Sequence, residues 1–268
     1  MIIGGGDRPV SVTQRFIELA GGPAAACIVV IGLASEDPTN SARHSIEEFK
    51  KYGVAQIQAL PVSRDQALQA IRQATGVYFG GGEQQKLVTA LERLQLVPAL
   101  HELFRRGGVL GGTSAGAAVM SEKMITGEER GIPTEEERFR SIQRDQIETS
   151  RGLGFITNAI IDQHFITRKR LNRLFSVVLE NPKLLGIGID ESTAIIVGPD
   201  QKFEVVGERN VMVIDAWHAG EVRTNPDRRL SATDLRVHIL TAGDRFDLRR
   251  GRPQRRNRPR SRSPETHR

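Results

Sequence analysis

The stretch Gly111-Gly112-Thr113-Ser114-Ala115-Gly116-Ala117-Ala118 follows the apolar pair Val109-Leu110. It reads as a buried strand that breaks into a helix, with one hydroxyl at the break. Gly112-x-Ser114-x-Gly116 is the spacing of a nucleophile elbow, in which the glycines allow a tight turn and close packing of strand on helix. Ser114 is then left at the carboxyl end of its strand, where open α/β sheets bind their ligands. The helix that starts there aims backbone N–H groups at the same point, which suits a developing oxyanion. A glycine-rich turn capped by a serine is the plainer reading of the same residues.

Working outward, short apolar runs at 1–4, 26–32, 54–60, 76–80, 107–112 and 158–163 alternate with helical patterns at 11–20, 40–52, 64–74, 84–105 and 115–121. Such alternation predicts an α/β fold with a parallel, helix-covered sheet. After a further helix at 168–180 the chain turns β-rich, with runs at 193–197, 202–206, 210–214 and 235–240. These are expected to extend the same sheet in antiparallel fashion, so that residues 1–248 make one domain. The segment 127–151 is highly charged with little periodicity, and a long polar loop directly after the elbow helix points to function or a lid.

Charge is unevenly placed. The chain of 268 residues carries +6, while residues 249–268 hold nine Arg and one Glu, a local +8 that leaves the body at −2. The high pI therefore belongs to the tail. That tail has no apolar side chains for a core and is expected to be disordered. It suits non-specific contact with nucleic acid or another anionic surface, or it is a solvated extension with no dedicated partner. Neither reading makes the whole protein a nucleic-acid binder.

The single cysteine, Cys27, sits in an apolar run and excludes a disulfide framework and a multi-cysteine metal site. No stretch is long enough to span a membrane. The first residues, Met1-Ile2-Ile3-Gly4-Gly5-Gly6-Asp7, lack the features of a signal peptide, which reads as cytoplasmic. A strand that begins at the first methionine leaves open an upstream leader and export.

A serine nucleophile needs a base, and the base needs an orienting acid. Of six histidines, His164 stands out because it ends the apolar strand Ala159-Ile160-Ile161-Asp162-Gln163, which puts it on the edge that carries Ser114. For the acid, Glu128, Glu129, Glu135, Glu136 and Glu137 follow the elbow, and Asp162 stands two residues before the histidine. Residue chemistry alone does not choose among them.

Five stretches in order carry a resemblance: Ile2-Ile-Gly-Gly-Gly-Asp7, Tyr78-Phe-Gly-Gly-Gly-Glu-Gln84, Gly111-Gly-Thr-Ser-Ala-Gly-Ala-Ala-Val-Met120, Asp162-Gln-His-Phe165 and Leu185-Gly-Ile-Gly-Ile-Asp-Glu191. Together they resemble the cyanophycinases, serine hydrolases of the S51 peptidase group. The resemblance implies a flavodoxin-like three-layer sheet related to class I glutamine amidotransferases, and a Ser–His–Glu triad. Carried over, Ser114 is the nucleophile and His164 the base. Met124-Ile-Thr-Gly-Glu-Glu129 is similar to a family variant that points to Glu129 as the acid, with Glu128 the alternative.

The same resemblance implies that Gln84, Asp162, Gln163, Arg168, Arg170 and Arg173 contact substrate, the guanidinium groups gripping carboxylates. The oxyanion hole would be the N–H of Ala115 with one from Gly81 or Gly82. The implied substrate is cyanophycin, a poly-aspartate backbone with arginine joined through each β-carboxyl, cleaved to β-Asp-Arg dipeptides. A homodimer is implied, and no metal or organic cofactor is required. Two rivals stand beside this reading: an aspartyl dipeptidase or isoaspartyl peptidase of the same family, and a non-catalytic module that binds an anionic polymer.

Overall fold

The alternating pattern of the first half forms a parallel sheet. In the computed structural model, which describes residues 1–131 and 140–254, strands and helices alternate as β1 (Ile2–Ile3), α1 (Val10–Leu19), β2 (Cys27–Ile31), α2 (Pro38–Lys50), β3 (Gln56–Ala59), α3 (Arg64–Gln73), β4 (Gly76–Phe79), α4 (Gln84–Arg93), α5 (Val97–Arg105) and β5 (Val109–Thr113). The five strands pair in parallel in the order β1-β5-β4-β2-β3. The long helix expected over 84–105 is two helices, because Gln95 takes a left-handed φ of 55° and Pro98 lies in the first turn of the second.

Helices cover both faces of this sheet. Ile28 and Val30 of β2 pack with Phe16 of α1, Phe49 of α2 and Tyr78, whose rings meet at 5.1–5.5 Å. Val29 and Ile31, facing the other way, join Ile71, Leu87, Leu91 and Leu100 of α3, α4 and α5. Alternation in a strand buried on both sides gives an unbroken apolar run, as in Cys27-Ile-Val-Val-Ile31.

After β5 come α6 (Ala115–Ala118), β6 (Lys123–Glu129) and β7 (Ile147–Arg151). β6 and β7 pair antiparallel, with a register shift between Ile125 and Glu129, so part of the charged segment is a ribbon rather than a loop. Glu135, Glu136 and Glu137 lie outside the described residues.

The second half follows as β8 (Ala159–Gln163), α7 (Leu171–Glu180), β9 (Leu185–Ile189), β10 (Thr193–Val197), β11 (Lys202–Gly207), β12 (Val211–Asp215), β13 (Arg223–Thr224), β14 (Leu230–Ser231), β15 (Arg236–Leu240), β16 (Arg245–Asp247) and β17 (Arg252–Gln254). Strands β10, β11, β16 and β17 extend the main sheet antiparallel beyond β1, giving nine strands. The strands β8, β12 and β15 depart from expectation. With β9 they form a separate four-stranded sheet, order β15-β12-β9-β8, so the run at 158–163 lies outside the main parallel sheet that carries Ser114. Burial explains the separation. One face of this second sheet gives Ile161, Ile187, Ile189 and Val213 to the main core, and the other packs Ile160 and Ile214 against Leu174, Val177 and Val178 of α7.

The expected disorder of 249–268 needs correction over 249–254. Arg252–Gln254 pair with β16, and Asp247 Oδ1 accepts the N–H groups of Arg249 and Arg250, each at 3.0 Å. Backbone and carboxylate hydrogen bonds order this stretch without apolar side chains. Residues 255–268 lie outside the described residues. Among the described residues, no helix is long and apolar enough to cross a membrane.

Candidate active site

Ser114 sits between β5 and α6 with φ 53° and ψ −113°, a backbone state that a side chain rarely adopts. Gly112 makes the turn feasible, since a Cβ there would overlap the Gly116 carbonyl. The Ser114 N–H donates to Ile3 O at 3.2 Å, which fixes the elbow to the end of β1.

His164 follows β8 directly, also left-handed at φ 48°, and is 6% exposed. Its Nε2 lies 2.9 Å from Ser114 Oγ, and its Nδ1 lies 2.6 Å from Oε1 of Glu191. A carboxylate accepts, so Nδ1 is the donor and Nε2 turns a lone pair toward the serine hydroxyl. The carboxylate on the imidazole is thus Glu191, where Glu129 or Glu128 had been expected. Glu129 lies in the β6–β7 ribbon opposite Ile147, and the Glu128 N–H binds Thr126 Oγ1 at 3.3 Å.

Three segments from two sheets meet here, and the end of β1 joins them. Ile3 O accepts from Ser114, Gly4 O accepts from the His164 N–H at 2.7 Å, and Gly5 O accepts from the Ser192 N–H at 2.9 Å. Gly5, at φ 101°, lies so close to the imidazole that a Cβ would overlap the ring. The glycines after β1 are therefore part of the wall of the site. Asp190, next to Glu191, accepts from the N–H and hydroxyl of Thr167 at 2.9 and 2.8 Å. Burial raises the Asp190 carboxyl, yet those hydrogen bonds, the Glu191 N–H and Arg209 together hold it below its ordinary value.

Burial lowers the His164 pKa from its ordinary 6.5, and the cations of Arg168 and Arg170 push it the same way. Glu191 raises it by hydrogen bond and charge, but the lowering influences win. The ring is therefore neutral at neutral pH, the state a general base needs.

The other expected contact residues divide. Gly81 packs against Ser114, where a Cβ added to the glycine would lie 3.9 Å from Oγ, and Ala115 opens α6 behind the serine. Gly82 packs against the Ala34 carbonyl. Gln84 is buried and donates from Nε2 to Ile125 O and Thr126 O at 3.0 and 2.5 Å, tying α4 to β6. Asp162 and Arg173 form an ion pair with both side chains almost fully buried. Arg170 donates to the Gln163 carbonyl at 2.7 Å and to its side-chain oxygen. Arg168 alone of the three expected arginines is exposed. Sequence reasoning missed Glu191 as the carboxylate on the imidazole. Its signal was the apolar run Leu185–Ile189, a buried strand whose carboxyl end carries Asp190-Glu191.

Known proteins fit this geometry. The family model described as Peptidase family S51 matches residues 1–205. A curated cyanophycinase of Geminocystis herdmanii is 33% identical over 266 residues, covering 94% of each chain. One of Synechococcus elongatus is 33% identical over 263 residues, covering 93% of this chain and 79% of the relative. The crystal structure of a peptidase from an acI-B1 Actinobacterium superposes with a TM-score of 0.59 at 23% identity, covering 91% of this chain and 94% of that one. A putative peptidase E from Listeria monocytogenes gives 0.52 at 16% identity, over 74% and 92% of the two chains, which speaks to the fold alone. Elbow, adjoining histidine and fold agree with the match over the greater part of the sequence: the chain belongs to peptidase family S51 and is a serine-type peptidase.

Proposed function

We propose that this peptidase hydrolyses cyanophycin, the arginine-bearing poly-aspartate, to β-Asp-Arg dipeptides through Ser114, His164 and Glu191. The continuous hydrogen-bond chain from Ser114 Oγ through the imidazole to Glu191 carries the reading, and curated cyanophycinases at 33% identity over more than nine-tenths of the chain supply the substrate.

In this mechanism Nε2 of His164 takes the proton from Ser114 Oγ as the oxygen attacks the scissile carbonyl. Glu191 holds the ring in the required tautomer and stabilises the imidazolium that forms. The N–H of Ala115, with one from the Gly81–Gly82 turn, receives the oxyanion. His164 then protonates the leaving amine, and a water activated by the same nitrogen releases the acyl group from Ser114. Arg168 stands ready for a substrate carboxylate at the exposed side of the histidine turn.

The test is release of soluble dipeptide from insoluble cyanophycin by the wild-type protein and by Ser114→Ala. Release by the wild type alone is expected. Equal release by both would sink the assignment of Ser114, and no release by the wild type would sink the substrate. A homodimer belongs to the same reading, and a light-scattering mass near that of one 29.6 kDa chain would overturn it.

A further inference from the structure

We infer that Arg209 is a specificity-determining residue that binds a carboxylate of the substrate at the rim of the cleft. The inference rests on the cyanophycin reading above and extends it to a residue outside the motif arginines.

Arg209 lies in the turn between β11 and β12, far in sequence from the histidine. Backbone bonds bring it to the site. The Glu208 N–H donates to Ser192 O at 3.0 Å, the Arg209 N–H to Thr193 Oγ1 at 2.8 Å, and the Asp190 N–H to Asn210 O at 3.2 Å. Three consecutive residues of the turn are thus fastened on both sides of Glu191.

The side chain is aimed by two contacts. Its Nη1 donates to Thr167 Oγ1 at 2.7 Å and lies 3.6 Å from Asp190 Oδ2. Thr167 is three residues after His164 and immediately before the exposed Arg168. The Arg209 side chain remains 48% exposed. Both contacts use Nη1, and among the described residues nothing binds Nε or Nη2. That leaves an oriented fork with the planar geometry that matches a carboxylate.

Competition for substrate carboxylates strengthens the case. Arg173 is buried on Asp162, and Arg170 is engaged by Gln163. Each repeat of the polymer carries one free carboxylate on its arginine, so a cleft for several repeats needs cations beyond Arg168. The Thr167 hydroxyl already donates to Asp190, so the turn is tied without Arg209, and a half-exposed guanidinium adds a ligand-facing charge.

A substrate comparison tests this. The probes are a soluble trimer of β-Asp-Arg units and the same trimer with its arginine carboxylates converted to carboxamides. Binding of both to Ser114→Ala protein is measured by calorimetry, alone and combined with Arg209→Met or Arg209→Lys, with circular dichroism to confirm the fold. Loss of a charge-assisted, bidentate contact should weaken carboxylate-trimer binding about tenfold for Arg209→Met, and by less for Arg209→Lys. Carboxamide-trimer binding should already be weaker in the parent and should fall no further. In the Ser114 background, kcat for Arg209→Met should stay within about twofold while KM rises. An equal loss on both trimers, no loss on either, or no binding of either trimer by the parent would overturn the inference. A fall in kcat without a change in KM would instead make Arg209 a support for Asp190. Selective carboxylate binding without hydrolysis by the wild type would uphold Arg209 and overturn the cyanophycinase reading.

Discussion

Oε1 of Glu191 lies 2.6 Å from Nδ1 of His164, although 27 residues separate them. The contact follows from strand register. β8 and β9 are parallel neighbours with Gln163 opposite Ile189, so the residues that follow each strand emerge side by side at one edge. His164 comes first after β8, and Asp190-Glu191 comes first after β9. Asp190 then binds Thr167 while Glu191 binds the ring, so the acidic turn holds the histidine turn at two points.

Glu191→Gln should lower kcat by roughly 10³–10⁴-fold, because an amide can present its NH₂ to Nδ1 and favour the wrong tautomer. Glu129→Gln and Glu128→Gln should change it by no more than about threefold, since neither touches the imidazole in this arrangement. Steady-state rates of the three variants on one soluble substrate decide the matter. A larger loss from Glu129→Gln would return the acid to the β6–β7 ribbon.

The difference between Glu129 and Glu191 shows which parts of the structure sequence reading reaches. Elbow, histidine and parallel core are written in local patterns: glycine spacing at 112 and 116, and apolar runs broken by amphipathic helices. The choice of acid depends on which strands become neighbours, a non-local fact. The run Lys202–Gly207 joins one sheet while Val211–Asp215, four residues later, joins the other. Nothing in the alternation of either run encodes that choice. The resemblance implied Arg173 as a substrate ligand, yet it is paired with Asp162 of β8 and both side chains are almost wholly buried.

The pH profile follows from the environment of His164. Burial and the cations of Arg168 and Arg170 lower its pKa from 6.5, so kcat/KM should hold at neutral pH and fall off on an acid limb below 6.5. Arg168→Gln removes one lowering influence without touching the ring's hydrogen bonds. Its acid limb should therefore move upward, toward neutral pH. A limb that stays in place or moves down would show that Arg168 exerts no field on the imidazole.

The Asp162–Arg173 pair predicts a separation of stability from binding. Both side chains are almost wholly buried, so Arg173→Met strands a carboxylate and should cost about 3–5 kcal/mol. At roughly 2–4 °C per kcal/mol for a chain of this size, Tm should fall on the order of 10 °C. KM at a temperature where the variant is folded should change little. A raised KM with an unchanged Tm would mean that Arg173 leaves the core to hold substrate.

Two truncations separate residues 249–254, which include β17, from residues 255–268. Removing 249–268 deletes β17, exposes Phe246 of β16 on one edge, and removes the N–H donors that Asp247 Oδ1 accepts. Net contributions near 1 kcal/mol per hydrogen bond make a Tm loss of several degrees the expected result. Removing 255–268 leaves the β17 pairing and the Asp247 hydrogen bonds in place, so the larger Tm loss is expected for the 249–268 deletion. Turnover of a soluble substrate should survive both truncations, because β16 and β17 lie at the far edge of the main sheet, three and four strands beyond β1 and its glycines. Thermal melts and rates of the two shortened chains check both halves of the prediction. Equal Tm values would show that the β16–β17 pairing adds nothing to stability, and a large loss of turnover already in the shorter deletion would make the arginine-rich end part of the catalytic machinery.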